Sequence, residues 1–273
     1  NIQNPPSVLY VKGTLPDTDK AVGVVGSRKS TSYGLKVAGT FAQDLALAGL
    51  TIISGGARGI DTAAHKGALK ANGKTIAVLG CGIDVIYPYE NVDLFKQISK
   101  IGAIITEFPP GTEPLAKNFP ARNRIISGFS QGILVVEAAR KSGAMITAEF
   151  AIDEGREVYC IPGSIFSPTS VGTHSLIKQG AKLVQRPEDI LEDFHLLLQK
   201  QPKEKCDMPD LFSGMSEDCE IVTNKILTVL NFNEAKTLEE IVTASGLSLN
   251  VISSVLLNLQ VNGYVAEQIG KRY

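Results

Sequence analysis

At 273 residues the chain exceeds one average domain and has room for a large α/β domain beside a small one. Its formal net charge is -1, from 27 Lys and Arg against 28 Asp and Glu, so a global field that draws in nucleic acid is excluded and any polyanion site must be a local patch. No apolar run approaches the roughly 18 to 20 residues of a membrane span, and Cys81, Cys160, Cys206 and Cys219 include no Cys-x-x-Cys pair, which argues against a zinc or disulfide framework.

A soluble protein of the reduced cytoplasm is the expectation. No signal-peptide pattern is visible, and because the chain opens at Asn1 rather than methionine, upstream domains or targeting signals are left open.

The first apolar run, Ala-Val-Gly-Val-Val at 21–25, leads into Gly26-Ser27-Arg28 and a helical pattern over 33–48, with Ser32 placed as an N-cap. A second run at 50–54 leads into Ser54-Gly55-Gly56-Ala57-Arg58-Gly59 and a helix over 60–71. Further runs at 75–79, 103–106, 132–137, 157–161 and 182–184 alternate with helical patterns over 91–99, 144–154 and 187–198. Such runs are apolar on both faces, as expected of strands covered by helices on each side. Their spacing suits right-handed βα units and an open parallel sheet. Just before the run at 132–137, Phe119-Pro120-Ala121-Arg122-Asn123-Arg124 reads as a third loop on the same rim.

From 199 to 218 the chain is polar with two prolines, a linker between a 1–198 domain and a 219–273 domain. The second domain reads as helices over 221–230, from 238 and from 248, with Gly246 as the turn. A hairpin wing over 264–272 completes a winged helix-turn-helix. Its charge does not suit a groove reader: Lys225, Lys236, Lys271 and Arg272 stand against Glu220, Glu234, Glu239, Glu240 and Glu267, and the third helix lacks Lys and Arg. Asn250, Asn258 and Gln260 stay open as contacts, and a protein-contact or accessory role is favoured over duplex DNA.

Parallel sheets bind ligands beyond the carboxyl ends of their strands, where helix N-termini offer free N–H donors. Three cationic segments fall at that rim. Gly26 lets the backbone approach a ligand, Ser27 adds a hydroxyl donor and Arg28 grips a phosphate bidentately. Between 26 and 36 there are Arg28, Lys29 and Lys36 with no acid, and between 108 and 128 Lys117, Arg122 and Arg124 face Glu113 alone. Neither Gly-x-Gly-x-x-Gly nor a P-loop pattern is present, so a nicotinamide, flavin or P-loop enzyme is disfavoured.

The same residues have plainer readings. Arg28, Arg122 and Arg124 either grip phosphates or pair with Glu107, Glu137 or Asp61 to hold loops. Asn123 is as well a loop brace, and Phe119 either stacks on a base or plugs the core. Asp61 and Glu137 resemble the acids of nucleotide-cleaving enzymes, but a catalytic pair needs pKa environments that a sequence does not display. His65, His174 and His195 lack metal-ligand spacing, and the glycines at 55, 56 and 59 serve tight turns whatever the guest.

The ordered series Gly-Ser-Arg (26–28), SGGARGIDTAAH (54–65), GCGIDVIYP (80–88), EFPPGTEP (107–114), FPARNRIISG (119–128), VVEA (135–138), SGAMITA (142–148) and GREV (155–158) with Pro162-Gly163 resembles the DNA-processing protein A family, DprA or Smf, over about 20–190. The resemblance implies a Rossmann-like open parallel sheet with helices on both faces. It also implies single-stranded DNA binding, a homodimer with contacts within about 144–170, and loading of the RecA recombinase in natural transformation. No cofactor, no metal and no catalytic step is expected. The DNA-binding residues expected on this reading are Gly26, Ser27, Arg28, Ser54, Gly55, Gly56, Arg58, Lys117, Phe119, Arg122, Asn123 and Arg124. The rivals are a nucleotide-binding phosphoribohydrolase-like enzyme, whose PGGxGTxxE motif is absent, and a duplex-DNA regulator working through the winged helix.

Overall fold

The central apolar runs are buried on both faces, and with the edge runs they become the strands of one sheet. In this computed structural model, which describes residues 2, 4–195, 226, 229–230, 236–261 and 265, the strands are β1 (Tyr10–Gly13), β2 (Ala21–Val25), β3 (Thr51–Ser54), β4 (Thr75–Val78), β5 (Ala103–Thr106), β6 (Gly132–Val135), β7 (Glu157–Cys160) and β8 (Lys182–Leu183). Their order across the sheet is β1-β5-β4-β3-β2-β6-β7-β8. All neighbours pair in parallel except β1, which runs antiparallel along the β5 edge.

Alternate side chains of each strand feed two apolar layers. On one face Val22, Val24, Ile52 and Leu134 pack under α1 (Ser32–Leu47) and α2 (Ile60–Lys70), and Ala77 and Ile104 under α3 (Val92–Ile101). On the other, Ile53, Ile76, Ile133 and Val135 pack with residues of α4 (Asn118–Phe129), α5 (Gly143–Asp153) and α6 (Val171–Lys178). Each fully buried Ile or Val contributes about 1.5 to 3 kcal/mol of transfer free energy, which makes this double layer the main source of stability.

From β2 the chain winds outward through β3 and β4 to β5, then returns to place β6 on the other side of β2 and winds away through β7 and β8. The connection after β2 therefore goes to one face and that after β6 to the other. Their divergence opens a crevice at the carboxyl ends, the position where doubly wound sheets hold ligands.

Four elements differ from the expectations. The segment beginning at Phe119 is not a loop but the first turns of α4. Pro120 is tolerated there because first-turn N–H groups have no intrahelical partner. The N-cap of α1 is Thr31 rather than Ser32, its side chain accepting from Gly34 N at 3.1 Å. Strand β1 and helix α6 were not foreseen. Of the helix expected over 187–198, α7 (Glu188–Leu191) is present, and 196–198 lie outside the described residues.

The chain divides into two compact units, Asn1–Gln199 and Lys200–Tyr273. In the second, α8 (Leu238–Ser245) opens with a reciprocal capping box between Thr237 and Glu240 and ends at Gly246 with φ 66°. Helix α9 (Leu249–Val261) follows after a short turn, and Ile226, Ile241, Ile252 and Leu256 form the core of this unit. The helix pair and its turn match the expected second and third helices. The expected linker, most of the first helix and nearly all of the wing lie outside the described residues.

Candidate nucleic-acid interface

The crevice between the ends of β2 and β6 is a cavity of about 750 Å³. Gly26, Ser27, Arg28 and Lys29 form one wall, Ser142, Gly143 and Thr147 of the α5 end another, and Phe119, Arg122 and Asn123 of α4 a third.

The β2–α1 loop is held from below by Glu137, which follows β6 and is buried. Its carboxylate accepts from Thr31 N at 2.9 Å, Thr31 Oγ1 at 2.5 Å and Thr169 Oγ1 at 3.2 Å. One acid thereby fixes the helix cap and two loops. Its charge also lies at the N-terminus of α1, where the helix dipole favours an anion. The loop is fastened again where Ile60 N donates to Ser27 O at 3.3 Å. Gly59 makes that approach possible: at φ 80° a Cβ there would fall 2.3 Å from Ser27 O.

Beneath the rim lies a buried charged cluster. Arg122, only 3% exposed, donates Nη1 to Gly55 O at 2.7 Å and to Val78 O, and Nε to Asn123 Oδ1 at 3.2 Å. It thus ties α4 to the ends of β3 and β4 through backbone carbonyls. Asp61 is also buried and accepts from Ala57 N at 3.3 Å. A Cβ on Gly55 would come within 2.6 Å of both Arg122 Nη1 and Asp61 Oδ2, so the glycine makes room for the two charged groups. Burial pushes the Asp61 carboxyl up to about 6, against the opposing pull of Arg122 and Arg28. Burial lowers Arg122 to about 10, which leaves it a cation at neutral pH.

Above this cluster the ring of Phe119 is half-buried. It lies against Gly80 and meets the Tyr87 ring at a centroid distance of 5.7 Å and a tilt of 46°. The exposed Arg28 guanidinium sits 4.6 Å from the Phe119 centroid, and that of Arg122 sits 5.9 Å away. An aromatic face and a solvent-facing cation therefore share the cavity mouth, with a second, fixed cation below.

Gly26, Ser27, Arg28, Phe119, Arg122 and Asn123 are thus brought together at the cavity. The other expected residues stand apart from it. Ser54 is buried and donates to Val24 O at 2.6 Å, joining β3 to β2. Gly56 packs its backbone over Phe95. Arg58 makes a solvent-facing ion pair with Glu90 at 2.5 Å, a kind of contact worth little. Lys117 is exposed at the start of α4, and Arg124 pairs with Glu107. Asn123 also braces α4 to α5, donating Nδ2 to Gly143 O at 3.0 Å.

Tyr87 and Ser142 line the cavity and were not picked out individually. Ser142 caps no backbone N–H, and its buried Oγ has no hydrogen-bond partner; its position before a helical run was the signal available. His65 is buried with Nδ1 2.7 Å from Thr75 Oγ1, and burial lowers its pKa to about 3.

This is a doubly wound α/β protein whose switch-point crevice combines a cationic glycine loop, a half-buried phenylalanine ring and a buried arginine. Residues 1–195 match the family described as DNA recombination-mediator protein A, and the chain belongs to it. Protein Smf of Escherichia coli (strain K12) is 42% identical over 265 residues, covering 96% of this chain and 70% of the relative. The X-ray structure of DprA from Streptococcus pneumoniae aligns with TM-score 0.66 and 45% identity, over 70% of this chain and 68% of that one. DprA from Helicobacter pylori, solved for its single-stranded DNA binding mode, aligns with TM-score 0.66 and 30% identity, over 71% of this chain and 89% of that one.

Proposed function

We propose that this chain is a recombination mediator that binds single-stranded DNA at the β2–β6 crevice and catalyses no reaction there. The observation that carries the reading is the Arg28–Phe119 pair at the cavity mouth. Arg28 and Lys29 supply exposed cations for backbone phosphates, and Phe119 supplies a face on which any base stacks, so binding tolerates all sequences. Arg122 stays beneath as a fixed positive charge that holds the floor and raises the local potential. The Helicobacter pylori relative, described for its single-stranded DNA binding mode, supports single-stranded DNA as the ligand. Glu137 is occupied by three donors, which favours a holding role over a hydrolytic one.

The wider role follows the family: a cytoplasmic homodimer that presents the strand to RecA during natural transformation. Support for self-association comes from the loop after β7, where Ile165 and Phe166 are 77% and 89% exposed, within the expected 144–170 region. The C-terminal unit, read as a winged helix, serves a protein contact. Titrating labelled oligothymidylate against the Arg28→Ala variant tests the reading. Weaker binding supports it, and wild-type binding by the folded variant removes its basis.

A further inference from the structure

Behind the β2–α1 loop, on the face covered by α1 and α2, lies a second cleft of about 500 Å³. Its walls carry Arg28, Lys29 and Lys66 and no carboxylate. Arg28 and Lys29 line both this cleft and the Phe119 cavity, so the two openings meet across one short loop. On α2, Thr62 and Lys66 are four residues apart and Ala63 and Lys66 three, which puts all three on one face. The opposite face of α2, with Ala64, His65 and Ala68, is buried on the sheet. Lys66 therefore stands at the outer wall, and Gly59 and Ala63 leave space beside it. The ion pairs found among the described residues include neither Lys29 nor Lys66, so two of the three cations of this cleft are free of a salt bridge there. Exposed Leu35 adds an apolar surface at the same place.

We propose that a bound single strand crosses the β2–α1 loop and continues into this cleft, where Lys66 contacts a backbone phosphate. The inference rests on the proposed single-strand site. The chemistry favours a phosphodiester backbone over a carboxylate ligand or an apolar one: three cations line adjoining clefts, and Leu35 suits the apolar edge of a sugar or base. Two clefts sharing a pair of cations make a continuous track longer than either alone.

The test is binding of labelled oligothymidylates from about 4 to about 16 nucleotides, the range of site sizes in single-strand grooves. Wild type is compared with Lys66→Ala, Lys70→Ala and Arg28→Ala. Alanine is a good helix former, and both lysines are exposed on α2, so these variants keep the fold. Lys70 does not line the cleft and controls for net charge. Lys66→Ala is expected to leave the shortest oligomers unchanged, to weaken the longest about five-fold near 0.1 M salt, and to lower the salt slope by about 0.7. Lys70→Ala is expected to match wild type. Equal behaviour of the two lysine variants at every length overturns the second cleft. Equal loss on short and long oligomers overturns it too. A Lys66-dependent affinity for inorganic phosphate matching that for the oligomer assigns the cleft to the free ion and overturns the strand path. If Lys66→Ala is silent while Arg28→Ala weakens all lengths, the first site stands without the second. If Arg28→Ala is also silent, the single-strand reading itself falls.

Discussion

The guanidinium carbon of Arg28 lies 4.6 Å from the centroid of the Phe119 ring, which joins the loop after β2 to the first turn of α4 across the cavity mouth. At an exposed site such a contact is worth about 0.5 to 1 kcal/mol, enough to pre-orient both groups and little enough for a base or phosphate to replace it.

Replacing Phe119 by Ala removes the stacking face and is expected to cost about 1 to 3 kcal/mol in single-strand affinity, about 5- to 150-fold, with base identity unimportant. Phe119→Tyr keeps the face and should bind close to wild type. Fluorescence anisotropy with homopolymeric oligomers checks both. Equal affinity of the Ala and Tyr variants would assign Phe119 to packing alone.

Arg122 is expected to behave as a structural cation. Arg122→Ala leaves the carbonyls of Gly55 and Val78 without their donor and deprives buried Asp61 of its strongest opposing charge. Each of these is costly in a water-excluded site, and the expected loss of stability is about 3 kcal/mol or more. Urea denaturation measures it. A change below about 1 kcal/mol would contradict the role.

Asp61 and His65 give stability opposing pH dependences. The Asp61 carboxyl is raised to about 6 in the fold, so its favourable contribution is full below its unfolded value near 3.9 and is lost as pH rises through about 6. The His65 imidazole is lowered to about 3, so its contribution is full above its unfolded value near 6.5 and is lost as pH falls toward 3. Between about pH 4 and 6 the two oppose each other. Asp61→Asn removes one side, and the variant should lose stability on acidification more steeply than wild type, by about 2 to 3 kcal/mol over that interval. Denaturant midpoints at pH 4.5 and 7 decide it. Parallel curves for the two proteins would show that the carboxyl is not raised.

Much of the main fold was legible because a strand buried on both faces has to be apolar throughout, as 21–25 and 132–135 are. Strand β1 was hidden by the opposite circumstance: at the sheet edge Val11 and Lys12 face water, so Tyr10–Gly13 shows no apolar run. Helix α4 was obscured by the proline and cations at its start. Its spacing held a clue, since Arg122 precedes Ile125 and Ile126 by three and four positions and so shares their buried face. The motifs marked the rim, but charge and residue type alone did not separate the exposed Arg28 from the buried Arg122 or from Arg124, which is paired to Glu107. That distinction depends on which strand ends lie beside each arginine, a long-range property of the sheet order.

The central claim is tested most directly by equilibrium titration of oligothymidylate with wild type and Arg28→Ala at two salt concentrations, with folding of the variant verified by circular dichroism. The variant is expected to bind more weakly, with a salt slope lower by about 0.7, the loss of one phosphate contact on a single strand. An Arg28→Ala protein that is folded and keeps both the affinity and the slope of wild type would contradict it.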